Sequence, residues 1–310
     1  MGRHIIEVGQ FGRDDLELVF ERSEIMRKGP PYELRLESQI LATVFYEPST
    51  RTRLSFESAM NRLGGSVIST ENAREFSSAI KGETVEDTIR IINGYADAIV
   101  IRHHEQGAAA RAASVSDVPI INAGDGPGEH PTQALLDLYT IRHELGRIDG
   151  LTVALVGDLR FGRAVRSLAI LFTRTTGCRL IFVSPPAVPM GEDVRAALES
   201  AGVPFEDNSD LRSAVASADV VYQTRIQRER FATEEEYRES SGIYLIDEDV
   251  MDSMKRGAIL MHPLPRVDEI DPSVDADHRA AYFRQAHNGM YVRMALLHLL
   301  LAEHWAPEGI

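Results

Sequence analysis

The feature that most constrains the fold is a regular alternation of short apolar runs with longer helical segments along the 310 residues. Parallel sheets bury both faces and connect their strands through helices, so this alternation favours an α/β fold with parallel sheets. The predicted strands are Ile40–Tyr46, Asp97–Ile101, Val118–Asn122, Thr152–Val156, Leu180–Val183, Val220–Gln223 and Ile259–Met261. The predicted helices are Asp15–Arg27, Leu54–Leu63, Thr84–Gly94, Pro131–Leu145, Arg163–Thr173, Glu192–Ser200 and Tyr291–Glu303.

The length and the distribution of these elements predict two domains. A hydrophobic fraction of 44% supports well-formed cores, and 310 residues are enough for two domains of ordinary size. The segment Gly146-Arg147-Ile148-Asp149-Gly150 interrupts the alternation near its middle. We therefore place the domain junction there.

Composition excludes several classes of function. A net charge of −14 gives a surface that repels nucleic acid. No segment has the ~20 consecutive apolar residues that a membrane helix needs. The single cysteine, Cys178, excludes an internal disulfide and a multi-cysteine zinc site. The first residues show no secretory or transit pattern, so the cytoplasm is the expected compartment.

One turn between a predicted strand and a predicted helix is rich in anion-binding groups. Ser49-Thr50-Arg51-Thr52-Arg53 holds three hydroxyl and two guanidinium groups. Backbone N–H groups and the dipole favour an anion at a helix N-terminus, whereas cations there cost about 0.3–1 kcal/mol each. A bound phosphate would offset that cost. The alternative is that Ser49 is a simple N-cap and both arginines are solvated.

Further polar residues follow other predicted strands. Ligands of open α/β sheets bind at the carboxyl ends of the strands, so this ordering predicts a substrate cleft between two domains. The residues concerned are Arg102, His130 with Gln133, Arg163, Arg225 with Gln227, and the segment His262-Pro263-Leu264-Pro265.

Three of these groups have a specific chemical interpretation. His130 precedes a helix, where an imidazole is biased towards its neutral form and can donate a hydrogen bond to a carbonyl oxygen. Arg225 and Gln227, two residues apart, could bind a carboxylate, while Arg228 is interpreted as solvated. The carbonyl groups of the proline-rich segment after His262 could accept hydrogen bonds from an amine, and the alternative is a structural turn.

Neither a metal nor a nucleotide cofactor is expected. His103 and His104 lack the further ligands that a metal site needs. The turn Val156–Arg163 lacks both the G-x-G-x-x-G and the G-K-[ST] spacing of nucleotide-binding loops.

Together these segments resemble the aspartate and ornithine carbamoyltransferase family over about residues 5–305. The segment Ser49–Arg53 matches its carbamoyl-phosphate motif. Thr224–Gln227 and His262–Pro265 match the aspartate branch, since the ornithine branch typically has Ser-Met-Gly and His-Cys-Leu-Pro there. The resemblance implies two Rossmann-like α/β/α domains. Residues 1–146 would bind carbamoyl phosphate, completed by a C-terminal helix of residues 289–305 that packs back on them, and residues 147–288 would bind aspartate.

The resemblance also implies transfer of a carbamoyl group from carbamoyl phosphate to the α-amine of L-aspartate, in de novo pyrimidine biosynthesis and without a cofactor. The implied catalytic residues are Thr52, Arg102 and His130. The implied carbamoyl-phosphate-binding residues are Ser49, Thr50, Arg51, Thr52, Arg102, His130, Gln133, Leu264 and Pro265, with Ser77 and Lys81 from a neighbouring subunit. The implied aspartate-binding residues are Lys81, Arg163, Arg225 and Gln227.

The resemblance therefore makes a homotrimer with shared active sites the expected assembly. The segment Ser69–Ser78 resembles the loop of the plant-type branch, which UMP inhibits without a regulatory chain; UMP inhibition or a regulatory chain is a further expectation. Two alternatives stay open at this point. They are a carbamoyltransferase for another amino-acid acceptor and an inactive regulatory paralogue.

Overall fold

The computed structural model describes residues 4–71, 82–228, 233, 235, 237 and 242–307. It divides into two compact units, one of residues 1–136 with 287–310 and the other of residues 137–286. Within the described ranges, no helix is both long and apolar enough to cross a membrane.

The first unit is built on a parallel four-stranded sheet with strand order β2-β1-β3-β4. Its strands are β1 (Ile40–Phe45), β2 (Ser66–Glu71), β3 (Ala98–His103) and β4 (Ile120–Asp125). Its helices are α1 (Arg13–Lys28), α2 (Thr50–Arg62), α3 (Val85–Ile92) and α4 (Ala108–Ser114). Helix α5 (Pro131–Leu145) begins in this unit and continues into the second.

The second unit contains a parallel five-stranded sheet with strand order β7-β6-β5-β8-β9. Its strands are β5 (Thr152–Val156), β6 (Arg179–Val183), β7 (Phe205–Asp207), β8 (Val220–Gln223) and β9 (Ile259–Met261). Its helices are α6 (Arg163–Leu171), α7 (Glu192–Ser200), α8 (Leu211–Ser217) and α9 (Glu248–Ser253). The expected architecture of two α/β domains with parallel sheets is confirmed.

The burial of a strand determines whether its sequence contains the apolar run from which a strand can be predicted. Strand β1 is buried along nearly all of its length, as expected for a strand with neighbours on both sides. Strand β2 lies at the sheet edge and is largely accessible to water, and its sequence Ser-Val-Ile-Ser-Thr-Glu contains no long apolar run. The three-residue edge strand β7 is similarly polar. Both edge strands therefore escaped sequence-based prediction.

The C-terminal helix α10 (Tyr282–Leu301) packs on the first unit through its second half, as expected. The Arg293 guanidinium lies 5.0 Å from the centre of the Phe56 ring on α2. Beyond the helix, the Trp305 indole N–H donates a hydrogen bond of 3.2 Å to Asp15 of α1. The helix begins at Tyr282, earlier than the predicted Tyr291. Its first turn belongs to the second unit, where Tyr282 and Gln285 are buried.

The aromatic core position under α10 provides a test of this packing. Phe56 is fully buried, so Phe56→Ala should remove about 3–5 kcal/mol of unfolding free energy. The same substitution at Phe283, which is 53% exposed, should cost about 0.5 kcal/mol or less. Urea titration monitored by circular dichroism measures both. Equal losses for the two variants would contradict the described packing of α2.

Candidate active site

The predicted phosphate turn lies at the carboxyl end of β1. Ser49 occupies the N-cap position of α2 with φ −159° and ψ 86°, and its side chain makes no capping hydrogen bond. Thr50 is the first helical residue, and Thr52 is buried within the first turn. The hydroxyl of Ser49 is therefore not committed to the helix cap, which the simple N-cap interpretation required.

The two arginines of this turn have different surroundings. Arg53 is held within its own unit, with Nη2 2.9 Å from Glu71 and Nη1 3.4 Å from Glu57 and 3.2 Å from the Ser69 hydroxyl. Arg51 is largely exposed, and partial loss of hydration lowers the pKa of its guanidinium. Of the two, Arg51 is the one placed to meet an anion from solution.

Arg102 is brought to the same edge of the sheet by strand register. β1 pairs with β3 so that Phe45 lies opposite Arg102, and the Tyr46 N–H donates to the Arg102 carbonyl at 2.8 Å. The Arg102 side chain donates to the Ala123 carbonyl on β4 at 3.2 Å and lies 3.6 Å from Glu47. The turn after β1 and the guanidinium of Arg102 thus lie together, as their positions after adjacent strands predicted.

His130 directly precedes α5 and is 6% exposed, while Gln133 is one turn further and partly accessible. The glycine-rich loop before them is ordered by Asp125, which accepts hydrogen bonds from the backbone N–H groups of Gly107 and Glu129, each 2.9 Å long. A Cβ at Gly126 would lie 2.4 Å from the His104 carbonyl, so this glycine permits a close backbone approach. Gly126 thus serves packing, and His130 is the residue of this loop that the sequence analysis expected to contact substrate.

In the second unit, the expected substrate-binding residues follow the adjacent strands β5, β8 and β9. Arg163 begins α6 after β5, while Arg225 and Gln227 follow β8, and all three are partly buried. The ends of β5 and β8 approach so closely that a Cβ at Gly157 would lie 2.3 Å from the Thr224 carbonyl. Leu264 and Pro265 follow β9, joined by a cis peptide bond.

Asp158, which the sequence analysis did not select, contacts the expected aspartate-binding residue Gln227. Its carboxylate is fully buried and accepts hydrogen bonds from Gln227 Nε2 (3.2 Å) and from the Phe161 N–H (2.8 Å). Burial raises the pKa of Asp158 above its usual range, although these hydrogen bonds oppose the shift. Its position directly after Gly157 at a strand end was the signal that could have identified it.

Two of the expected site residues lie outside the described ranges. They are Ser77 and Lys81, which the resemblance assigns to a neighbouring subunit.

Among the described residues, no group of three His, Cys, Asp or Glu side chains is arranged to hold a metal ion.

Comparison with known proteins places these two sets of residues in a family. The model of the aspartate/ornithine carbamoyltransferase carbamoyl-phosphate-binding domain matches residues 3–143, and the model of the Asp/Orn-binding domain matches residues 149–300. The chain belongs to the aspartate/ornithine carbamoyltransferase family.

Curated relatives and solved structures are consistent with the aspartate branch. A chloroplastic aspartate carbamoyltransferase of Arabidopsis thaliana is 57% identical over 96% of this chain and 77% of its own length. The aspartate carbamoyltransferase catalytic subunit of Archaeoglobus fulgidus is 49% identical over 96% of this chain and 98% of its own. The aspartate transcarbamoylase of Trypanosoma cruzi in complex with N-(phosphonacetyl)-L-aspartic acid has a TM-score of 0.90 at 42% identity, covering 97% and 96% of the two chains.

The expected cytoplasmic location is wrong. Plant relatives that are 55–57% identical to this chain, from Arabidopsis thaliana, Pisum sativum and Oryza sativa, are named as chloroplastic enzymes. The expectation rested on the absence of a recognisable targeting pattern, and an absence carries no information about a compartment.

The buried Asp158 carboxyl predicts a pH dependence of stability. Its pKa is raised in the folded state, so the folded state binds the proton more tightly. Its contribution to stability is therefore fully present below the unfolded pKa of about 3.9 and is lost as the pH rises through the folded pKa. Relative to wild type, Asp158→Asn should become progressively less destabilising as the pH rises from 4 to neutrality. Urea titrations at several pH values measure this, and a constant difference would contradict a raised pKa.

Proposed function

We propose that this chain transfers the carbamoyl group of carbamoyl phosphate to the α-amine of L-aspartate, giving N-carbamoyl-L-aspartate and phosphate. Family membership supports the carbamoyl donor. The observation that carries the choice of acceptor is the pair Arg225 and Gln227 directly after β8, both partly buried, with Gln227 held by Asp158. An acceptor with a side-chain carboxylate needs a cation in this position, which an amine side chain would not tolerate.

The residues of the first unit bind and activate the donor in this proposal. Ser49, Thr50 and Arg51 bind the phosphate at the N-terminus of α2, where backbone N–H groups and the dipole add to the guanidinium charge. Thr52, Arg102 and His130 donate hydrogen bonds to the carbamoyl carbonyl oxygen, and Gln133 contacts the carbamoyl amine. Negative charge grows on that oxygen as the amine attacks, so donors fixed in advance stabilise the transition state more than the substrate.

The residues of the second unit bind and orient the acceptor. Arg163 and Arg225 bind the two carboxylates of aspartate, and Gln227, held by Asp158, assists them. The carbonyl groups of Leu264 and Pro265 accept hydrogen bonds from the α-amine, which must be neutral to attack. A C–N bond then forms, the C–O bond to phosphate breaks, and the departing phosphate takes the proton that the amine releases. The product enters de novo pyrimidine biosynthesis.

We further propose that the active enzyme is a homotrimer in which Ser77 and Lys81 complete the site of a neighbouring subunit. The sequence resemblance supports this assembly, and it also supports inhibition by UMP or control by a separate regulatory chain. Millimolar UMP that leaves the activity unchanged would contradict the UMP proposal.

If each active site contains residues of two subunits, two different inactive variants should restore each other's activity in mixed trimers. Arg51→Ala and Lys81→Ala subunits, each nearly inactive alone, should regain activity when unfolded together and refolded, because some mixed trimers contain an intact site. Activity of the mixture is compared with that of each variant refolded separately. A mixture no more active than its components would place Lys81 in the site of its own subunit.

Arg225→Ala tests the choice of acceptor. Loss of a charge-assisted hydrogen bond of about 1.5–3 kcal/mol should raise the KM for aspartate by about 10- to 150-fold. The KM for carbamoyl phosphate should stay near that of wild type. The matched control is Arg228→Ala, since Arg228 is exposed and lies over the Tyr237 ring at 5.9 Å. Equal effects of the two substitutions would refute the role of Arg225.

Arg51→Ala and Arg53→Ala separate substrate binding from structure in the phosphate turn. Arg51→Ala should lower kcat/KM for carbamoyl phosphate by about 100-fold or more, because arginine contacts to phosphate are charge-assisted and bidentate. Arg53→Ala should change kcat/KM less and lower thermal stability instead, since it removes the cation that pairs with Glu57 and Glu71. Steady-state kinetics and thermal unfolding measure both. A reversed order would assign the phosphate to Arg53.

A further inference from the structure

The ring of His262 is buried and makes two hydrogen bonds whose directions fix its proton. The Leu264 backbone N–H lies 2.8 Å from Nδ1, and Glu269 Oε1 lies 2.7 Å from Nε2. A backbone N–H can only donate, so Nδ1 must be the unprotonated, accepting nitrogen. The ring is therefore neutral, its proton is on Nε2, and Nε2–H donates to Glu269.

Glu269 is arranged to require this tautomer. Its other oxygen, Oε2, accepts the backbone N–H groups of Val267 and Asp268, both at 3.2 Å, and the residue is 7% exposed. Every partner of the carboxylate therefore donates to it. Burial alone would raise the pKa of Glu269, but the hydrogen bonds from His262 and from these backbone groups lower it below its usual range. A charged acceptor thus faces Nε2.

The backbone of His262 is anchored by a second buried carboxylate. Its N–H donates to Gln285 Oε1 at 2.9 Å, and Gln285 Nε2 donates to Asp137 at 2.6 Å. The Tyr222 hydroxyl on β8 donates to the other Asp137 oxygen, also at 2.6 Å. Asp137, Tyr222 and Gln285 are all buried. The start of the segment after β9 is consequently fixed to α5, α10 and β8.

The hydrogen bonds of His262 act on the backbone conformation of Leu264. It has φ of 54°, in the left-handed region that disfavours side chains larger than glycine. Its N–H is the group that His262 Nδ1 accepts. The direction of the Leu264 peptide groups thus depends on an acceptor at Nδ1, and Nδ1 can accept only while the ring proton is on Nε2.

We propose that Glu269 and His262 are positioning residues: Glu269 holds the His262 ring proton on Nε2, and Nδ1 then holds the Leu264 N–H so that the Leu264 and Pro265 carbonyls point at the reacting amine. The inference rests on the proposed function, which assigns those carbonyls to the amine. Neither residue touches substrate, and both act through the backbone of Leu264.

Glu269→Gln tests this with a nearly isosteric change. The new NH₂ group cannot face the backbone N–H groups of Val267 and Asp268, because all are donors, so it faces His262. The ring must then accept at Nε2 and carry its proton on Nδ1, where it opposes the Leu264 N–H. Misplacement of a reacting group costs up to about 100-fold in rate, so kcat should fall by about 10- to 100-fold. The KM for carbamoyl phosphate should change less than about twofold, since no donor to the phosphate moves.

Glu144→Gln is the matched control. Glu144 lies in the same unit and forms a 2.8 Å ion pair with Arg284, outside the proposed machinery. It should retain the wild-type kcat. If Glu269→Gln kept as much activity as this control, the positioning role would be refuted.

Two substitutions of His262 separate its two hydrogen bonds. His262→Asn places an amide oxygen near the position of Nδ1, where it can accept the Leu264 N–H, but does not reach Glu269. His262→Gln places an amide NH₂ near the position of Nε2, where it can donate to Glu269, but leaves the Leu264 N–H without an acceptor. The asparagine variant should retain the higher kcat by about 5-fold or more. Equal activities, or the reverse order, would contradict control through Leu264.

The tautomer itself can be read without any activity. In protein labelled with ¹⁵N-histidine, the His262 signals, identified by their loss in His262→Asn, should show protonated Nε2 and unprotonated Nδ1. In Glu269→Gln the assignment should be exchanged. A wild-type ring protonated on Nδ1, or a tautomer unaffected by Glu269→Gln, would overturn the inference. Absence of aspartate-dependent activity in the wild type would instead overturn the proposed function, so the two failures are distinguishable.

Discussion

Parallel pairing of adjacent strands determines where the chemistry of this protein is placed. In a parallel sheet all carboxyl ends lie at one edge, so short segments far apart in sequence become neighbours there. In the first unit, pairing of β1 with β3 and of β3 with β4 brings the turn at Ser49, the guanidinium of Arg102 and the loop before His130 to one edge. In the second unit, β5, β8 and β9 do the same for Arg163, for Arg225 with Gln227, and for Leu264.

The positive side chains at these sheet edges contrast with the negative net charge of the chain. The net charge is −14, yet both groups of strand ends present arginine. Carboxylates close to the sites set the positions of side chains: Glu47 lies beside Arg102, Asp158 holds Gln227, and Glu269 holds His262. An acidic protein can bind acidic substrates in this way, because each anion meets a cation or an N–H group whose orientation is already determined.

The sequence predicted the buried framework and the strand ends at which the candidate site residues lie, for identifiable reasons. Central strands such as β1 and β5 are continuous apolar runs, so periodicity located them closely. The edge strand β2 and the short helices α4, α8 and α9 have no such pattern and were missed. Their positions depend on tertiary packing, which local sequence does not encode strongly.

Side-chain partners were the other part that sequence reasoning could not supply. Neighbouring arginines at positions 51 and 53 look alike in sequence, and only the contacts of Arg53 with Glu57 and Glu71 distinguish them. Asp158 and Glu269 were not selected because a single carboxylate after a strand has many structural uses. The roles proposed for them depend on the hydrogen bonds to Gln227 and His262.

Tracing the carbamoyl carbon into the product tests which acceptor this protein uses. The protein is incubated with ¹³C-carbamoyl phosphate and either L-aspartate or L-ornithine, and label and phosphate are both quantified by NMR. We expect labelled N-carbamoyl-L-aspartate to form in a one-to-one ratio with phosphate and ornithine to remain uncarbamoylated. Labelled citrulline from ornithine, or phosphate release without labelled carbamoyl-aspartate, would contradict this expectation.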